Sequence, residues 1–347
     1  MNAWSRHLRV MLASFAGLLA LAAVLIFIAN PYGNLTGSPL RHVLMDDNQR
    51  FQYPAVIRSK RYDSIVIGTS TARLLEPARL EAGLGGRFAN LALNSGTPWE
   101  QWRVARLMAA TVGRPRTLVV GLDRVWCEID ADSRRITTRG FPEWMFDDNP
   151  WNDLAYMLNI RTIEIAGRRI GHALGLAKER WPHNGYEIFT PPESSYDAAK
   201  ARRNIHGSNT LTGQRARRER PGPEVPPDGF PALAWLESLA GDTRFERVVL
   251  AFMPTHVATH PAAGSPAADR ETNCKAKILE IARRHRRSVV DFRIRSSITE
   301  RDENYWDALH YRVPVATRVV EGLAKALATG RDDPGGDWAV RHWAAGR

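Results

Sequence analysis

Two short motifs near opposite ends of the chain carry the residue types of an acyl-transfer site. Ser70 ends the segment Gly68-Thr69-Ser70, which follows an apolar run, and Asp307 precedes His310 by three residues. In serine-dependent acyl transfer, a serine hydroxyl attacks the acyl carbonyl, a histidine takes its proton, and an aspartate orients and stabilises the charged imidazole. We therefore predict that Ser70, His310 and Asp307 form a catalytic triad.

Each motif alone also has a structural interpretation. A strand followed by Gly-Thr-Ser is an ordinary turn in which the serine caps the next helix, and Asp-x-x-His occurs as a cap or as a surface pair. Their combination favours chemistry, because Ser70 ends the first predicted strand whereas Asp307 and His310 follow the last one.

The segment Asn94-Ser95-Gly96 offers donors for an oxyanion. It follows the second predicted strand, where the N–H of Gly96 or the side-chain amide of Asn94 can hold the negative oxygen of a tetrahedral intermediate. A helix beginning at Ser70 adds its own N–H groups and dipole. The alternative is a tight turn that uses asparagine and glycine for backbone freedom.

Three further residues stand where a substrate can be contacted. Arg124 and Trp126 follow the third predicted strand and His256 follows the fourth. For Arg124 and Trp126, a salt bridge and a packed aromatic ring are the structural alternatives. His256 and His260 have the spacing of a helical metal site, but the glutamate of His-Glu-x-x-His is absent and Pro254 indicates a loop. We predict no metal and no cofactor.

Alternating strands and helices must position these residues. The predicted strands are apolar runs at 64–68, 88–93, 117–121, 247–253 and 288–292. The predicted helices occupy 99–110, 160–177, 232–239, 273–286 and 315–329. This alternation predicts an α/β fold with a parallel sheet covered by helices on both faces, in which functional residues collect at the carboxyl ends of the strands.

Residues 10–29 form an uncharged apolar run of the length that spans a bilayer. As a helix it covers about 30 Å at about 1.5 Å per residue. Arg6 and Arg9 precede the run and Arg41 is the first charge after it, so the positive-inside rule predicts a cytoplasmic N-terminus and an exported domain. A cleaved signal peptide is the alternative, although no clear small-x-small site closes the run.

The formal net charge of +11 comes mostly from arginines scattered along the chain, with clusters at 215–218 and 283–287. No nucleic-acid-binding motif accompanies them, so we expect no nucleic-acid partner. A positive surface attracts anionic lipids or an acidic polysaccharide, and a plain solvated surface is the alternative. Cys127 and Cys274 are the only cysteines. They can pair in an oxidising compartment, but the sequence gives no sign that they are close, so we expect two separate buried thiols.

These features divide the chain into an anchor over 1–30, a linker over 31–60, an α/β domain over 61–330 and a peripheral tail over 331–347. The stretch from about 130 to 228 breaks the alternation and includes a Pro-rich segment at 220–227. We interpret it as an insertion over the strand ends that shapes substrate access, the alternative being a surface excursion without a role.

Taken together, the motifs resemble those of the SGNH/GDSL hydrolase superfamily in their order along the chain. Gly-Thr-Ser at 68–70 stands where the family has Gly-Asp-Ser, Asn-Ser-Gly at 94–96 resembles its second block, and 307–310 matches its closing Asp-x-x-His. The asparagine of the third block has no counterpart, because Asp123 stands there. The anchor followed by such a domain is similar to exported proteins of alginate O-acetylation and teichoic-acid D-alanylation.

The resemblance implies a flavodoxin-like three-layer sandwich and a serine acyltransferase or esterase acting on acyl esters, such as acetyl esters, of a cell-envelope polysaccharide. Ser70, Asp307 and His310 would form its triad, with Gly96 and Asn94 as oxyanion donors. The domain would face the periplasm from the inner membrane. A transferase would receive its acyl group from a multi-spanning membrane O-acyltransferase.

Two other classes of function stay open. A non-catalytic envelope scaffold that binds polysaccharide or assembly partners is favoured by the missing asparagine and disfavoured by the intact Asp-x-x-His. An esterase of small molecules or lipids would make the anchor incidental.

Overall fold

A central six-stranded sheet organises the chain in the computed structural model, which describes residues 3–35, 37–40, 43–147, 150–207 and 229–344. The strands are β1 (Ser64–Ile67), β2 (Phe88–Asn90), β3 (Thr117–Leu122), β4 (Arg247–Phe252), β5 (Ser288–Asp291) and β6 (Ala339–His342). They lie in the order β2-β1-β3-β4-β5-β6, with β1 to β5 parallel and β6 antiparallel to β5.

All five predicted strands are confirmed, and together they form the parallel part of the sheet. Their apolar runs are nearly continuous because both faces of the sheet are buried. β3 and β4 pair over six residues each, from Thr117 opposite Arg247 to Leu122 opposite Phe252. Strand β2 lies on one side of β1 and β3 lies on the other, so the direction of the chain reverses at β1. In such sheets, ligands bind in the crevice at the carboxyl ends of the strands where this reversal occurs.

The helices connect the strands and cover both faces of the sheet. The described α-helices are α1 (Ala3–Ala29), α2 (Gln49–Arg58), α3 (Pro77–Leu84), α4 (Pro98–Val112), α5 (Pro150–Met157), α6 (Ile160–Ala173), α7 (Ala198–His206), α8 (Ala232–Ala240), α9 (Pro266–Arg284) and α10 (Val313–Thr329). The five predicted helices correspond to α4, α6, α8, α9 and α10, with ends that differ by a few residues. A longer difference occurs at α9, which begins at Pro266 behind the N-cap Ser265.

Alternate strand residues face two separate apolar cores. Ile65 and Leu118 point into the core that is completed by α2, α4, α8 and α9, whereas Val66 and Val119 point into the core completed by α3 and α10. The domain therefore has three layers, with the sheet in the middle.

Helix α1 is long and apolar enough to cross a membrane, in agreement with the sequence prediction of a spanning segment. Almost all of its side chains are exposed, and only Ile26 and Ala29 are buried. Its last turns pack against α6, so the helix leaves the domain as an apolar projection.

The segment 31–60 is not a linker, contrary to the sequence prediction. It contains α2, in which every side chain from Gln52 to Ile57 is buried. Arg50 forms a fully buried ion pair with Glu100 of α4, with Nη2–Oε2 at 2.7 Å and Nε–Oε1 at 2.9 Å. Polar residues of α2 are thus buried inside the domain with polar partners. Because the helix lacks a regular apolar pattern, the sequence did not indicate that it is buried.

The tail is also part of the domain, contrary to the sequence prediction. Residues 339–342 form β6 on the edge of the sheet, and Trp338 is buried against Phe292 and Gly322. A short antiparallel edge strand with one exposed face carries little apolar signal, so its sequence reads as a surface segment.

Cys127 and Cys274 form a disulfide, contrary to the expectation of separate thiols. Cys127 ends a 3₁₀ turn that follows β3, and Cys274 lies in α9. The bond joins positions 147 residues apart in sequence, a proximity that only the packing of α9 on this turn creates.

The stretch predicted to be an insertion, from about 130 to 228, lies between β3 and α8. Its described part contains α5, α6 and α7, and the predicted helix at 160–177 is α6 with an earlier end. The basic cluster at 215–218 and the Pro-rich segment at 220–227 lie outside the described residues.

Candidate active site

The turn after β1 places Ser70 at the carboxyl edge of the sheet. A Cβ on Gly68 would lie 2.7 Å from Cβ of Ala72 and 3.2 Å from the main-chain oxygen of Gly121, so only glycine allows this close approach. Ser70 then begins a short 3₁₀ helix. The first N–H groups of a helical turn have no intrahelical acceptor, and the Ser70 N–H has no acceptor in the described part of the chain.

The side chain of Asn90 forms hydrogen bonds with the main chain of this turn. Its fully buried side-chain Nδ2 lies 2.9–3.1 Å from the main-chain oxygens of Ala72, Arg73 and Leu75, and its Oδ1 accepts the N–H of Ala92 at 3.1 Å. The amide therefore satisfies carbonyl groups that would otherwise be buried without partners. The sequence interpretation assigned no role to Asn90, although it lies in the same segment as Asn94.

Two hydrogen bonds connect Ser70 to His310 and His310 to Asp307. Oγ of Ser70 is 2.9 Å from Nε2 of His310, and Nδ1 of His310 is 2.8 Å from Oδ2 of Asp307. The Asp307 carboxylate accepts at Nδ1, so Nδ1 carries a proton and Nε2 of neutral His310 faces the serine hydroxyl as an acceptor. The side chains of His310 and Asp307 are 27% and 41% exposed, so a substrate can reach them.

The loop that carries His310 is tied to Asp307 by its own main chain. Oδ1 of Asp307 accepts the N–H groups of Leu309 at 2.8 Å and of His310 at 2.9 Å. Burial opposes ionisation of Asp307, but the hydrogen bond and charge of His310 and these two N–H groups outweigh it, so the pKa of Asp307 lies below its ordinary value. Asp307 therefore stays a carboxylate.

The two predicted oxyanion donors differ in the structure. The Gly96 N–H donates to the main-chain oxygen of Leu93 at 3.1 Å, and Ser95 has a positive φ of 53°. This segment is the tight turn that the sequence left open as the alternative, and its hydrogen bond occupies the Gly96 donor. The side-chain amide of Asn94 is half-buried and makes no hydrogen bond within the described residues, so it is the more available of the two predicted donors.

Asp123 lies across the β1–β3 crevice from the serine turn. Its Oδ2 accepts a hydrogen bond from the hydroxyl of Thr69, the neighbour of Ser70, and its Oδ1 accepts the N–H of Val125 at 3.1 Å. Burial raises the pKa of Asp123 above its ordinary value, although the Thr69 hydrogen bond and the charge of Arg293 oppose the shift. A carboxyl group therefore stands where the family resemblance leads one to expect an asparagine.

The three predicted substrate contacts have different outcomes. Trp126 is fully buried and donates from Nε1 to Oε1 of Gln101 at 3.2 Å, so it is a core residue and not a substrate contact. His256 is 1% exposed and packs edge-on against Tyr305, so it too is structural. Arg124 is exposed at the strand edge, and its predicted contact with substrate stays a prediction.

His206, His256 and Asp302 bring three metal-ligating atoms within 4.8 Å of one another. Nδ1 of His256 accepts the N–H of Ala258 at 3.1 Å, so Nε2 of the neutral ring carries the proton. This Nε2 lies 3.1 Å from Oδ1 of Asp302 but makes no hydrogen bond within the described residues. A metal ligand needs an unprotonated nitrogen, usually with the other nitrogen acting as a donor. The cluster therefore fits a hydrogen-bonded tie between α7 and the 302–310 loop better than it fits a metal ion.

The insertion contributes a residue to the site that the sequence interpretation missed. The ring of Phe189 packs edge-on against His310, with ring centroids 5.4 Å apart, and the guanidinium of Arg73 lies 4.4 Å from the centre of the same ring. Arg73 is held by Glu187 at 2.6 Å. Nothing in the local sequence marks Phe189, because its contact depends on the insertion folding back over the strand ends.

Neither known protein families, nor curated proteins, nor solved structures contain a match to this chain.

Proposed function

We propose that this chain is a membrane-anchored, SGNH-like serine acyltransferase or esterase that acts on acyl esters of a cell-envelope polysaccharide. The observation that carries the proposal is the chain of two hydrogen bonds from Ser70 through His310 to Asp307, at 2.9 and 2.8 Å. This is the arrangement in which a serine is activated by a histidine that a third group orients.

In the proposed reaction, Oγ of Ser70 attacks the acyl carbonyl while Nε2 of His310 takes its proton. The imidazolium that forms is stabilised by the Asp307 carboxylate, and His310 then returns the proton to the leaving oxygen. A sugar hydroxyl or water, deprotonated by the same imidazole, resolves the acyl-serine. The first acceptor gives acyl transfer and the second gives hydrolysis.

The negative oxygen of the tetrahedral intermediate needs donors at the strand edge. The N–H of Ser70 and the side-chain amide of Asn94 serve this role in the proposal, whereas the Gly96 N–H is bonded to Leu93. Removing one such donor from a serine enzyme costs about 3 kcal/mol of barrier.

Three features support an exported location and an envelope substrate. Helix α1 can cross a membrane, the disulfide is of a kind that persists in oxidising compartments, and the net charge of +11 suits an anionic polymer or a lipid surface. An inner-membrane location with a periplasmic domain is part of the proposal, as is a multi-spanning acyltransferase partner that supplies the acyl group.

A non-catalytic polysaccharide- or partner-binding scaffold is the second candidate. Asp123 favours it, because a carboxyl group beside the nucleophile turn stands where the family resemblance leads one to expect the amide of an oxyanion donor. The triad geometry favours the enzyme.

Acyl turnover separates the two candidates. Wild-type protein in detergent should hydrolyse 4-nitrophenyl acetate, Ser70→Ala should not, and Ser133→Ala, at an exposed serine in a surface turn, should behave as wild type. Equal turnover by wild type and Ser70→Ala would make the scaffold the better account. Adding acceptor oligosaccharides and detecting acylated sugar then distinguishes transferase from esterase.

A further inference from the structure

Helix α6 (Ile160–Ala173) has three chemically different faces. At about 3.6 residues per turn, Thr162, Ile165, Ala166 and Arg169 share one face, and all four are buried. Arg161, Glu164 and Arg168 share a second, polar face. The third face carries Ile160, Ile163 and Ile170, and Leu174, directly after the helix, extends it. An ordinary surface helix has one apolar face, which it buries, so the second apolar face needs an explanation.

The buried face attaches α6 to the end of the membrane-spanning candidate α1. Thr162 Oγ1 lies 3.4 Å from the hydroxyl of Tyr32, and the guanidinium of Arg169 donates to the main-chain oxygen of Asn30. Asn30 and Tyr32 directly follow α1, and α6 also packs on the last turns of α1 itself. Helix α6 therefore lies at the point where α1 enters the domain.

The charged side chains of the polar face form ion pairs with acidic residues of the domain. Arg161 pairs with Asp46, and Arg168 pairs with Asp47 at 3.3 Å and with Glu164 at 2.7 Å. These ion pairs fix the rotation of α6 about its axis, so that its third face points away from the protein.

The third face is exposed and continues into neighbouring segments. Ile160 is 88% exposed and Leu174 is 68% exposed, and Leu176 in the following turn is 80% exposed. Tyr156 and Leu158, just before the helix, are exposed as well. An exposed apolar surface of this extent marks an interaction site.

The last turns of α1, against which α6 packs, also carry exposed apolar side chains. Val24, Phe27 and Ile28 are exposed although Ile26 and Ala29 beside them are buried against the domain. If α1 crosses a bilayer, as the proposed function requires, side chains at this level lie at or just below the lipid headgroups. The apolar surface on α6 thus lies beside the end of α1 that joins the domain.

We propose that α6 and the turn that follows it lie in the interface of the membrane crossed by α1, with the Ile160–Ile163–Leu174 face among the lipid acyl chains. Interfacial helices of this kind bury their apolar face about 5–10 Å into the boundary between headgroups and chains. Exposed Lys178, two residues after Leu176, supplies a cation for anionic headgroups. The domain is then attached to the membrane both by the spanning helix α1 and by the interfacial helix α6. The second attachment restricts rotation of the domain about α1.

Site-directed spin labelling of the full chain in lipid nanodiscs tests this proposal. Single cysteines are introduced as Ile163→Cys and Leu174→Cys, with Leu19→Cys in α1 and Glu280→Cys at an exposed position of α9 as controls. The native cysteines are held in their disulfide. The nanodiscs contain phosphatidylcholine and phosphatidylglycerol and no other protein. We expect labels at Ile163, Leu174 and Leu19 to collide more with lipid-soluble oxygen than with a water-soluble nickel chelate, and the label at Glu280 to show the reverse.

The controls separate the two proposals. A lipid-exposed label at Leu19 combined with water-exposed labels at Ile163 and Leu174 overturns the interfacial helix and leaves the anchor intact. A water-exposed label at Leu19 overturns the anchor. Labels at Ile163 and Leu174 that are shielded from both reagents show that protein covers this face, from the same chain or a second copy, and also overturn the lipid contact.

Discussion

The hydroxyl of Tyr311 donates a hydrogen bond to the main-chain oxygen of Thr71, so the neighbour of His310 is joined directly to the neighbour of Ser70. Both residues are buried, and burial raises the pKa of Tyr311 above its ordinary value, which keeps its hydroxyl a donor. This bond holds the two motifs together independently of the bond between Ser70 and His310. The alignment of the triad therefore does not depend on the reacting groups themselves.

Asp307→Asn should remove most acyl turnover while leaving the fold in place. An amide has no charge to stabilise the imidazolium and favours the wrong tautomer of His310, and the equivalent change in a serine protease lowers kcat by about 10⁴-fold. Steady-state hydrolysis of 4-nitrophenyl acetate measures the loss, with exposed Asp132→Asn as the matched control. Turnover within a few-fold of wild type would show that Asp307 does not assist His310.

Asp123→Asn should raise turnover by at least about tenfold. Asp123 bonds to the Thr69 hydroxyl beside the nucleophile, where a carboxyl group disfavours negative charge on the substrate oxygen and an amide can donate to it. One well-aimed donor changes kcat by about 10²–10³-fold. The assay is the same ester hydrolysis. Unchanged or lower turnover would mean that the carboxyl group does not oppose catalysis.

Cys127→Ser combined with Cys274→Ser should lower the free energy of unfolding by about 2–5 kcal/mol, because the lost bond closes a long loop in the unfolded chain. Urea unfolding of the full chain in detergent, followed by tryptophan fluorescence, measures the change. Dithiothreitol should shift the midpoint of wild type and leave the double variant unaffected. Coincident midpoints without reductant would exclude a stabilising disulfide.

His260 should make the fold less stable in acid. Burial lowers the pKa of His260 from 6.5 to about 4, while Glu271 opposes the shift. The unfolded chain thus takes up this proton at a higher pH than the folded chain does. The contribution of neutral His260 to the free energy of unfolding is therefore complete above about pH 6.5 and is lost as the pH falls towards 4. The loss is at most about 3 kcal/mol.

Urea unfolding of wild type and His260→Gln at several pH values tests this assignment. Both proteins share every other titrating group, including His256, whose pKa burial also lowers. The wild type should lose more stability than the variant between pH 6.5 and 4. Parallel profiles would assign the acid sensitivity to other groups.

The parallel sheet and the proximity of Ser70, His310 and Asp307 could be predicted because their signals are local. Buried parallel strands are continuous apolar runs, and their carboxyl ends meet at one edge, which places Ser70 and the 307–310 loop near each other once the fold class is known. Trp126 shows the limit of that reasoning. It lies beside the same edge, but its side chain turns inward to Gln101.

The features that were missed depend on contacts between distant segments. Arg50 of α2 and Glu100 of α4 are polar in sequence and become a buried pair only when the two helices pack. The disulfide and the Phe189–His310 contact likewise require α9 or the insertion to fold back. The spacing of residues along the sequence does not predict contacts between such distant segments.

The central claim is that Ser70 is a nucleophile activated by His310, and mapping a covalent adduct tests it most directly. Full-length protein is treated with a fluorophosphonate, digested and analysed by mass spectrometry. We predict an adduct on Ser70 alone, with His310→Ala labelled far more slowly because no base takes the serine proton. An adduct on another residue, or equal labelling of wild type and Ser70→Ala, would contradict the account.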